Sequence, residues 1–517
     1  MNLKHFMISA AVAGLCATTV SAQTITVPQF IDPNPTGSVV PSNMSNNGKW
    51  MLTNDTYEDG QGQVYNTGGS IYNLDNIRQI TPVEAPSGRA DLADISNDGN
   101  IVVGSYNGSP AYYNVQTKTW KILKLPLATR GGQLTAVTPD GKYAVGVVFP
   151  STDQNGMAFK PVMYDLTTEE RISFPNLPNI DMTGLNQGQN QFIDVTPDGR
   201  YVLGIISYSY ILPVAPCTYV YDRQTDTYDF IGFNVENYNP TQEGDGAKWK
   251  PLVSGISSIS GGSLSPDGEW ITGSAYMVKD VAGSQFGDEY DVAYRYNIKD
   301  KSFLVYDSAN ENDYSGFSVS NDGFVYAASP AGNPYSTAYI HVGKHYVSFD
   351  EIFKQKFNYD FLGSQNKWAV TGKPILISED AKTIVMMPSH ESCYILKVPQ
   401  PLHEVSADIN LLSSYTVSPA QNAQFSRLTT VTLSFTRPIA AVGAARRITL
   451  TDQDGNQVAQ GLQVNATGVT ATVGFRTVTL DPGKTYTITI PAGTFAMSND
   501  NNMKSPEIKV SYTCLLY

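Results

Sequence analysis

Ser96-Asn97-Asp98-Gly99-Asn100-Ile101-Val102-Val103-Gly104-Ser105-Tyr106 and Thr138-Pro139-Asp140-Gly141-Lys142-Tyr143-Ala144-Val145-Gly146-Val147-Val148 are one phrase written twice, 42 residues apart. A hydroxyl residue, then Pro or Asn, then Asp-Gly, opens an alternating apolar stretch. Asn or Pro and Asp suit the centre of a type I turn, and Gly suits the left-handed position of the bulge that follows, so each phrase joins two strands tightly. The phrase returns as Thr196-Pro197-Asp198-Gly199, Ser265-Pro266-Asp267-Gly268 and Ser320-Asn321-Asp322-Gly323. Weaker copies stand at either end, Ser45-Asn46-Asn47-Gly48 and Ser378-Glu379-Asp380-Ala381, giving seven copies spaced 42 to 69 residues apart.

A third alternating run follows every copy: IYNLDN from Ile71, AYYNVQT from Ala111, VMYDLTT from Val162, TYVYDRQ from Thr218, AYRYNIK from Ala293, AYIHVGK from Ala338 and CYILKV from Cys393. Most units add a fourth, such as TWKILKL from Thr119. Four antiparallel strands per repeat, repeated seven times, predict an all-β, seven-bladed propeller. Gly104, Gly146, Gly204 and Gly273 stand five residues after their turn glycines, where neighbouring backbones are expected to crowd. Ser348-Phe349-Asp350-Glu351 is a capping box and predicts a helix through Phe357, inserted before the last blade as packing.

The repeats resemble the bacterial WD40-like propellers of the TolB and dipeptidyl-peptidase type and the HAF-type repeats, which carry the same S-P-D-G turns. That resemblance implies a propeller over most of residues 42–400 and little about function, because such blades serve as peptidase gates, lyases and binding platforms alike. After about Gln400 the pattern changes to TVTLSF, RITLTDQDGNQV, ATVGF, KTYTITI and IKVSY, the strands of a small sandwich. Ser418-Pro419, Leu433-Ser434-Phe435-Thr436-Arg437-Pro438 and Leu480-Asp481-Pro482-Gly483-Lys484-Thr485-Tyr486 resemble the bacterial Ig-like domains of the SbsA type, which implies a spacer or adhesion module.

The chain starts with Lys4, an apolar run from Phe6 to Val20 and small residues at Val20-Ser21-Ala22, so residues 1–22 read as a Sec leader cut after Ala22. The residues ahead of Cys16 lack the pattern of a lipidated cysteine, and no later run is long enough to span a bilayer. The expected domains are 1–22 leader, 23–402 propeller and 403–517 sandwich, in a monomer that is extracytoplasmic: periplasmic, on the cell surface or secreted. Without the leader, 33 basic residues face 47 acidic ones, which makes nucleic acid a poor partner. Cys217, Cys393 and Cys514 allow at most one bridge and form no C-x-x-C pair.

No G-x-S-x-G motif, sialidase-type Asp box, Walker loop or dinucleotide fingerprint is present. His341 and His345 alternate with apolar residues as though on one face of a strand, without a partner set to complete a metal site. The loop Ser498-Asn499-Asp500-Asn501-Asn502 offers oxygens of the kind Ca²⁺ takes, but Asn and Asp are ordinary turn formers, so no cofactor is expected. Loop length is the remaining signal. The connections between second and third strands and between blades are long, and both emerge on one face of a propeller, where binding residues gather. That face gives the candidate ligand residues Tyr57, Arg130, Phe149, Asp181, Tyr208, Tyr210, Tyr238, Trp249 and Tyr276, with Glu243, Lys248 and Asp288 as polar company. The expected function is non-catalytic binding or scaffolding of a glycan or protein in the cell envelope. The alternative is a polysaccharide lyase or glycoside hydrolase using acids on the same face, which needs a convergence of carboxylates that linear sequence does not display.

Overall fold

The computed structural model describes residues 26–31, 39–58, 64–151, 159–177, 189–207, 217–231, 249–251, 258–259, 262–279, 288–306, 315–328, 338–342, 345–360, 375–389 and 392–515, with breaks at 87, 426–428, 443–446, 475–477 and 499. Within it the repeats form seven antiparallel blades. Blade 1 runs Val39–Met44, Trp50–Glu58, Val64–Asn73 and Ile80–Glu84, from the inner strand to the outer. Blade 2 runs Ala90–Ile95, Ile101–Tyr106, Ser109–Asn114 and Thr119–Ile122. Blade 3 runs Thr129–Val137, Tyr143–Pro150, Lys160–Asp165 and Glu170–Arg171; blade 4 runs Gln189–Val195, Tyr201–Ser207, Cys217–Asp222 and Thr227–Phe230. In blade 5 the inner edge is broken into Trp249–Pro251, Ser258–Ile259 and Ser263–Leu264, followed by Trp270–Lys279, Asp288–Asn297 and Phe303–Val305. Blade 6 runs Ser315–Val319, Val325–Ala328, Ala338–Val342 and His345–Ser348.

Blade 7 takes three strands from the end of the repeat array, Leu376–Ile377, Thr383–Ser389 and Ser392–Lys397. Its fourth is Thr26–Ile31 from the start of the chain, paired antiparallel with Gln29 opposite Ile395 and Ile31 opposite Cys393. The ring is thereby closed by both ends of the propeller sequence. A closed ring leaves no blade with a bare face, and apolar clusters fill each seam; Met51 and Tyr72 of blade 1, for example, pack with Val385 and Ile395 of blade 7.

The repeated turns show why their residues recur. Ser96 Oγ donates to Asp98 Oδ1 at 2.6 Å and accepts from Ile101 N at 3.0 Å, while Asp98 Oδ1 accepts from Asn100 N at 3.0 Å. The same hydroxyl–carboxylate bond forms at Thr138–Asp140, Thr196–Asp198, Ser265–Asp267 and Ser378–Asp380. Gly99 has φ +75°, and a Cβ there would lie 2.6 Å from the Trp50 ring of the preceding blade. A Cβ on Gly104 would meet the Asp91 carbonyl oxygen at 1.8 Å. Both positions exclude a side chain on contact distance alone.

The helix spans Phe349–Phe357, with Ser348 as N-cap and both bonds of the capping box in place. The sandwich pairs Tyr415–Ser418, Thr430–Phe435, Thr470–Gly474 and Gln463–Thr467 in one sheet. Its second sheet holds Ile508–Cys514, Thr485–Ile490, Thr449–Asp452 and Gln457–Gln460, with Gln424–Phe425 added parallel at the edge. Its core is continuous with that of blades 6 and 7: Leu433, Phe435 and Ile488 belong to the same apolar cluster as Tyr326, Phe353 and Leu396. Buried polar contacts cross the same seam. Arg437 Nη2 donates to Glu351 Oε2 at 3.1 Å, and the guanidinium lies 4.1 Å from the Tyr346 ring. His403, on the short helix Leu402–Ser406, bonds Tyr326 through Nδ1 at 2.9 Å and Asp322 through Nε2 at 3.1 Å. The sandwich is therefore fastened to the ring by a shared core and by buried polar contacts.

One sequence expectation needs amendment. His341 and His345 lie on separate antiparallel strands, Ala338–Val342 and His345–Ser348, in which His341 pairs with Tyr346 and Val342 with His345. His341 is buried against Tyr306, 4.3 Å between rings, and burial pushes its pKa down to about 3, so it stays neutral. Near the C-terminus, Asp500 Oδ1 accepts from Asn502 N at 2.9 Å. Among the described residues no group of three or more His, Cys, Asp or Glu side chains is placed to hold a metal ion.

Candidate binding face and central channel

The long connections leave the propeller at the face opposite the Asp-Gly turns. Part of what reads as loop continues as strand: Tyr57 pairs with Tyr65, Tyr276 with Asp291 and Trp249 with Lys279 in hairpins that carry blades 1 and 5 outward. Asp181, Tyr208, Tyr210 and Tyr238 lie outside the described residues, as do Glu243 and Lys248. Arg130 and Phe149 are brought together. They sit at the ends of the first two strands of blade 3, where Thr129 pairs with Pro150 and Gly131 with Phe149. Phe149 is half-buried against Phe159, with 4.7 Å between ring centroids, and Arg130 is exposed.

Beside this pair a groove of about 440 Å³ crosses the long-loop end of blade 3 to blade 4. Leu127, Pro126 and Pro150 form one lip, Phe159 and Pro161 the floor, and Pro175, Leu177 and Tyr228 the far wall. Leu127 is 98% exposed. Several polar groups in the wall are already engaged: Tyr228 Oη donates to Pro175 O at 2.5 Å, and Tyr219 Oη to Asn190 Oδ1 at 2.7 Å. The charged side chains lining the groove are Lys160 and Arg171, and no carboxylate lines it among the described residues. Strand alternation turns Glu170 to the face opposite Arg171.

A second cavity, about 720 Å³, lies on the propeller axis nearer the turns and is lined by the inner strands of all seven blades. The position two residues before each Ser/Thr-x-Asp-Gly hydroxyl faces it: Asn43, Asp94, Ala136, Asp194, Ser263, Ser318 and Leu376. In most blades the inner strand bulges just before this residue, which re-aims its side chain toward the next blade. Asp94 accepts from Asn43 Nδ2 of blade 1 at 2.8 Å and from Val137 N of blade 3 at 2.8 Å. Asp194 accepts from Leu264 N of blade 5 at 3.1 Å. Ser263 Oγ donates to Phe317 O at 3.2 Å, and Ser318 Oγ donates to Ile375 O. Burial first, and then the charge of Asp194, push Asp94 up to about 8 against the pull of its backbone donors. Burial pushes Asp194 up to about 6. These acids brace neighbouring blades. The sequence reading missed them, although aligning the repeats two residues upstream of the turn displays the polar column.

Fold and site together define a seven-bladed β-propeller joined to an immunoglobulin-like sandwich. The sandwich, residues 411–514, matches the bacterial Ig-like domain family. No curated protein matches the chain. Among solved structures the chain is similar to an oligogalacturonate lyase from Vibrio parahaemolyticus, at 14% identity over 73% of this chain and 99% of that one, TM-score 0.43. It is also similar to an oligogalacturonate lyase in complex with manganese, at 13% identity over 74% and 99%, TM-score 0.41. TolB from Acinetobacter baumannii matches at 14% identity over 71% of this chain and 64% of that one, TM-score 0.31.

Proposed function

We propose that this chain is an exported binding or scaffolding protein of the bacterial cell envelope, which uses the long-loop face of the propeller to hold a glycan or protein. The groove beside Arg130 and Phe149 carries the reading: a concave surface of apolar side chains with a few polar and cationic ones, on the face where connections are longest, is how a binding site is built. Export rests on the leader pattern ending at Ala22. Among the described residues no helix is long and apolar enough to cross a membrane.

Hydrolysis or elimination requires ionisable groups converging where substrate lies. The described carboxylates with the most raised pKa, Asp94 and Asp194, are held by backbone N–H groups of neighbouring blades near the turn end of the channel, away from the groove. Binding is therefore the better-supported chemistry. A thermal-shift screen of residues 23–517 against glycans, peptidoglycan fragments, peptides and Ca²⁺, with each mixture re-read by mass spectrometry, tests it. A melting shift with intact ligand is expected; product formation from a glycan would replace this reading with the enzymatic one.

A further inference from the structure

We infer that the groove between blades 3 and 4 is a docking site for an extended segment of another protein in which apolar side chains alternate with Asp or Glu. This rests on the binding reading above and names the class of ligand.

Three observations select that class. Leu127 stands 98% exposed on the lip, beside Pro126, Pro150 and Pro161, whose rings are rigid and supply no N–H. Such a surface offers contact area at little entropic cost and favours apolar side chains as anchors. Among the described residues the charged side chains lining the groove are cations, Lys160 and Arg171, in a chain whose acids outnumber its bases 47 to 34. A local excess of positive charge on an acidic protein is complementary to an acidic ligand and unfavourable for a basic one. The polar inventory is the third. Asn190 Oδ1, the Tyr228 hydroxyl and the Thr129 hydroxyl are each bonded within the groove, the last donating to Pro126 O at 2.7 Å, which leaves exposed Ser173 and Asn176 as the other hydroxyl and amide side chains of the lining. Among the described residues the groove combines prolines, Leu127 and Leu177 with two cations and isolated polar side chains, the complement of apolar and acidic peptide side chains.

The test uses residues 23–517 and fluorescence anisotropy with three labelled probes: short peptides alternating Leu or Phe with Glu, the same peptides with Lys in place of Glu, and an acidic uronate oligosaccharide. The Glu peptides are expected to bind, the Lys peptides at least about tenfold more weakly, with affinity for the Glu set falling as salt rises. Leu127→Asp and the pair Lys160→Glu with Arg171→Glu are each expected to weaken the Glu peptides at least about tenfold, while Lys509→Glu on the sandwich leaves binding unchanged. Circular dichroism melts of every variant separate lost binding from lost folding. Glu peptides that bind with no sensitivity to the groove substitutions overturn the docking site and leave the binding reading intact. Binding of the oligosaccharide alone overturns the peptide class, also with the binding reading intact. If none of the probes binds and the wider ligand screen also gives no shift, both fail.

Discussion

Replacing Arg437 by Met asks whether the sandwich and the propeller are one cooperative body. Arg437 and Glu351 face each other with side chains only 9% and 6% exposed, across the seam between the sandwich and the helix before blade 7. Glu351 Oε2 also accepts from Ser348 N and Ser348 Oγ, each at 3.0 Å, so the carboxylate stays in place when Arg437 is removed and is left buried without its cation. Removing one partner of a buried pair costs about 3–5 kcal/mol, and the loss of the Tyr346 ring contact adds to it. Glu351→Gln preserves the capping geometry and strands the arginine, with a cost of similar order. The double variant should cost less than the sum of the two, because no charge is left alone. Each half carries its own reporter: all five tryptophans precede residue 403, and buried Cys514 lies in the sandwich. In a background with Cys217 and Cys393 replaced by Ser, denaturant unfolding followed by tryptophan emission and by labelling of Cys514 should give one midpoint, lowered together by Arg437→Met. If the labelling midpoint moves while the tryptophan midpoint stays, the continuous core does not couple the halves and the reasoning is wrong.

Three further outcomes follow from the same contacts. Removing residues 23–33 leaves Ser392–Lys397 paired with Thr383–Ser389 alone and its other edge bare; size exclusion with light scattering should show self-association of the truncated chain, and an unchanged monomer of equal melting temperature would refute closure by Thr26–Ile31. Gly104→Ala should destabilise by about 1–3 kcal/mol through contact with the Asp91 carbonyl, while Gly474→Ala, with open space around it, should be close to neutral in the same denaturation assay. Asp94 and Asp194, raised to about 8 and about 6, bind protons in the folded chain that the unfolded chain releases near pH 4, so stability falls as pH rises from there through about 8. Asp94→Asn should reduce the difference in melting temperature between about pH 5 and about pH 9, and an unaltered difference would show that the acid does not titrate in this window.

Much of the fold is legible because it is local. A Ser/Thr-x-Asp-Gly turn is settled by bonds within six residues, as between Ser96, Asp98 and Ile101, and the capping box by bonds within four. What sequence leaves open is non-local. Thr26–Ile31 has no turn signal ahead of it and pairs with Ser392–Lys397, at the far end of the ring. The attachment of the sandwich depends on Arg437 meeting Glu351 and His403 meeting Asp322, two pairs that no periodicity relates. His341 and His345 read as one strand because the alternation runs on from Ala338–Val342 into His345–Ser348, although the two strands pair antiparallel. Of the candidate site, the choice of face followed from loop lengths, and Arg130 and Phe149 meet on it. The groove itself was not legible, because its lining comes from the blade 2–3 connection, blade 3, the blade 3–4 connection and blade 4.

The most direct test of the account is a calorimetric titration of the best ligand from the screen into wild type, Arg130→Ala, Phe149→Ala and Glu379→Ala, the last an exposed residue at an Asp-Gly-type turn on the opposite face. Binding through the long-loop face predicts weakening by Arg130→Ala and Phe149→Ala, no change with Glu379→Ala, and intact ligand throughout. Loss of binding with Glu379→Ala alone would place the site on the turn face and contradict the account.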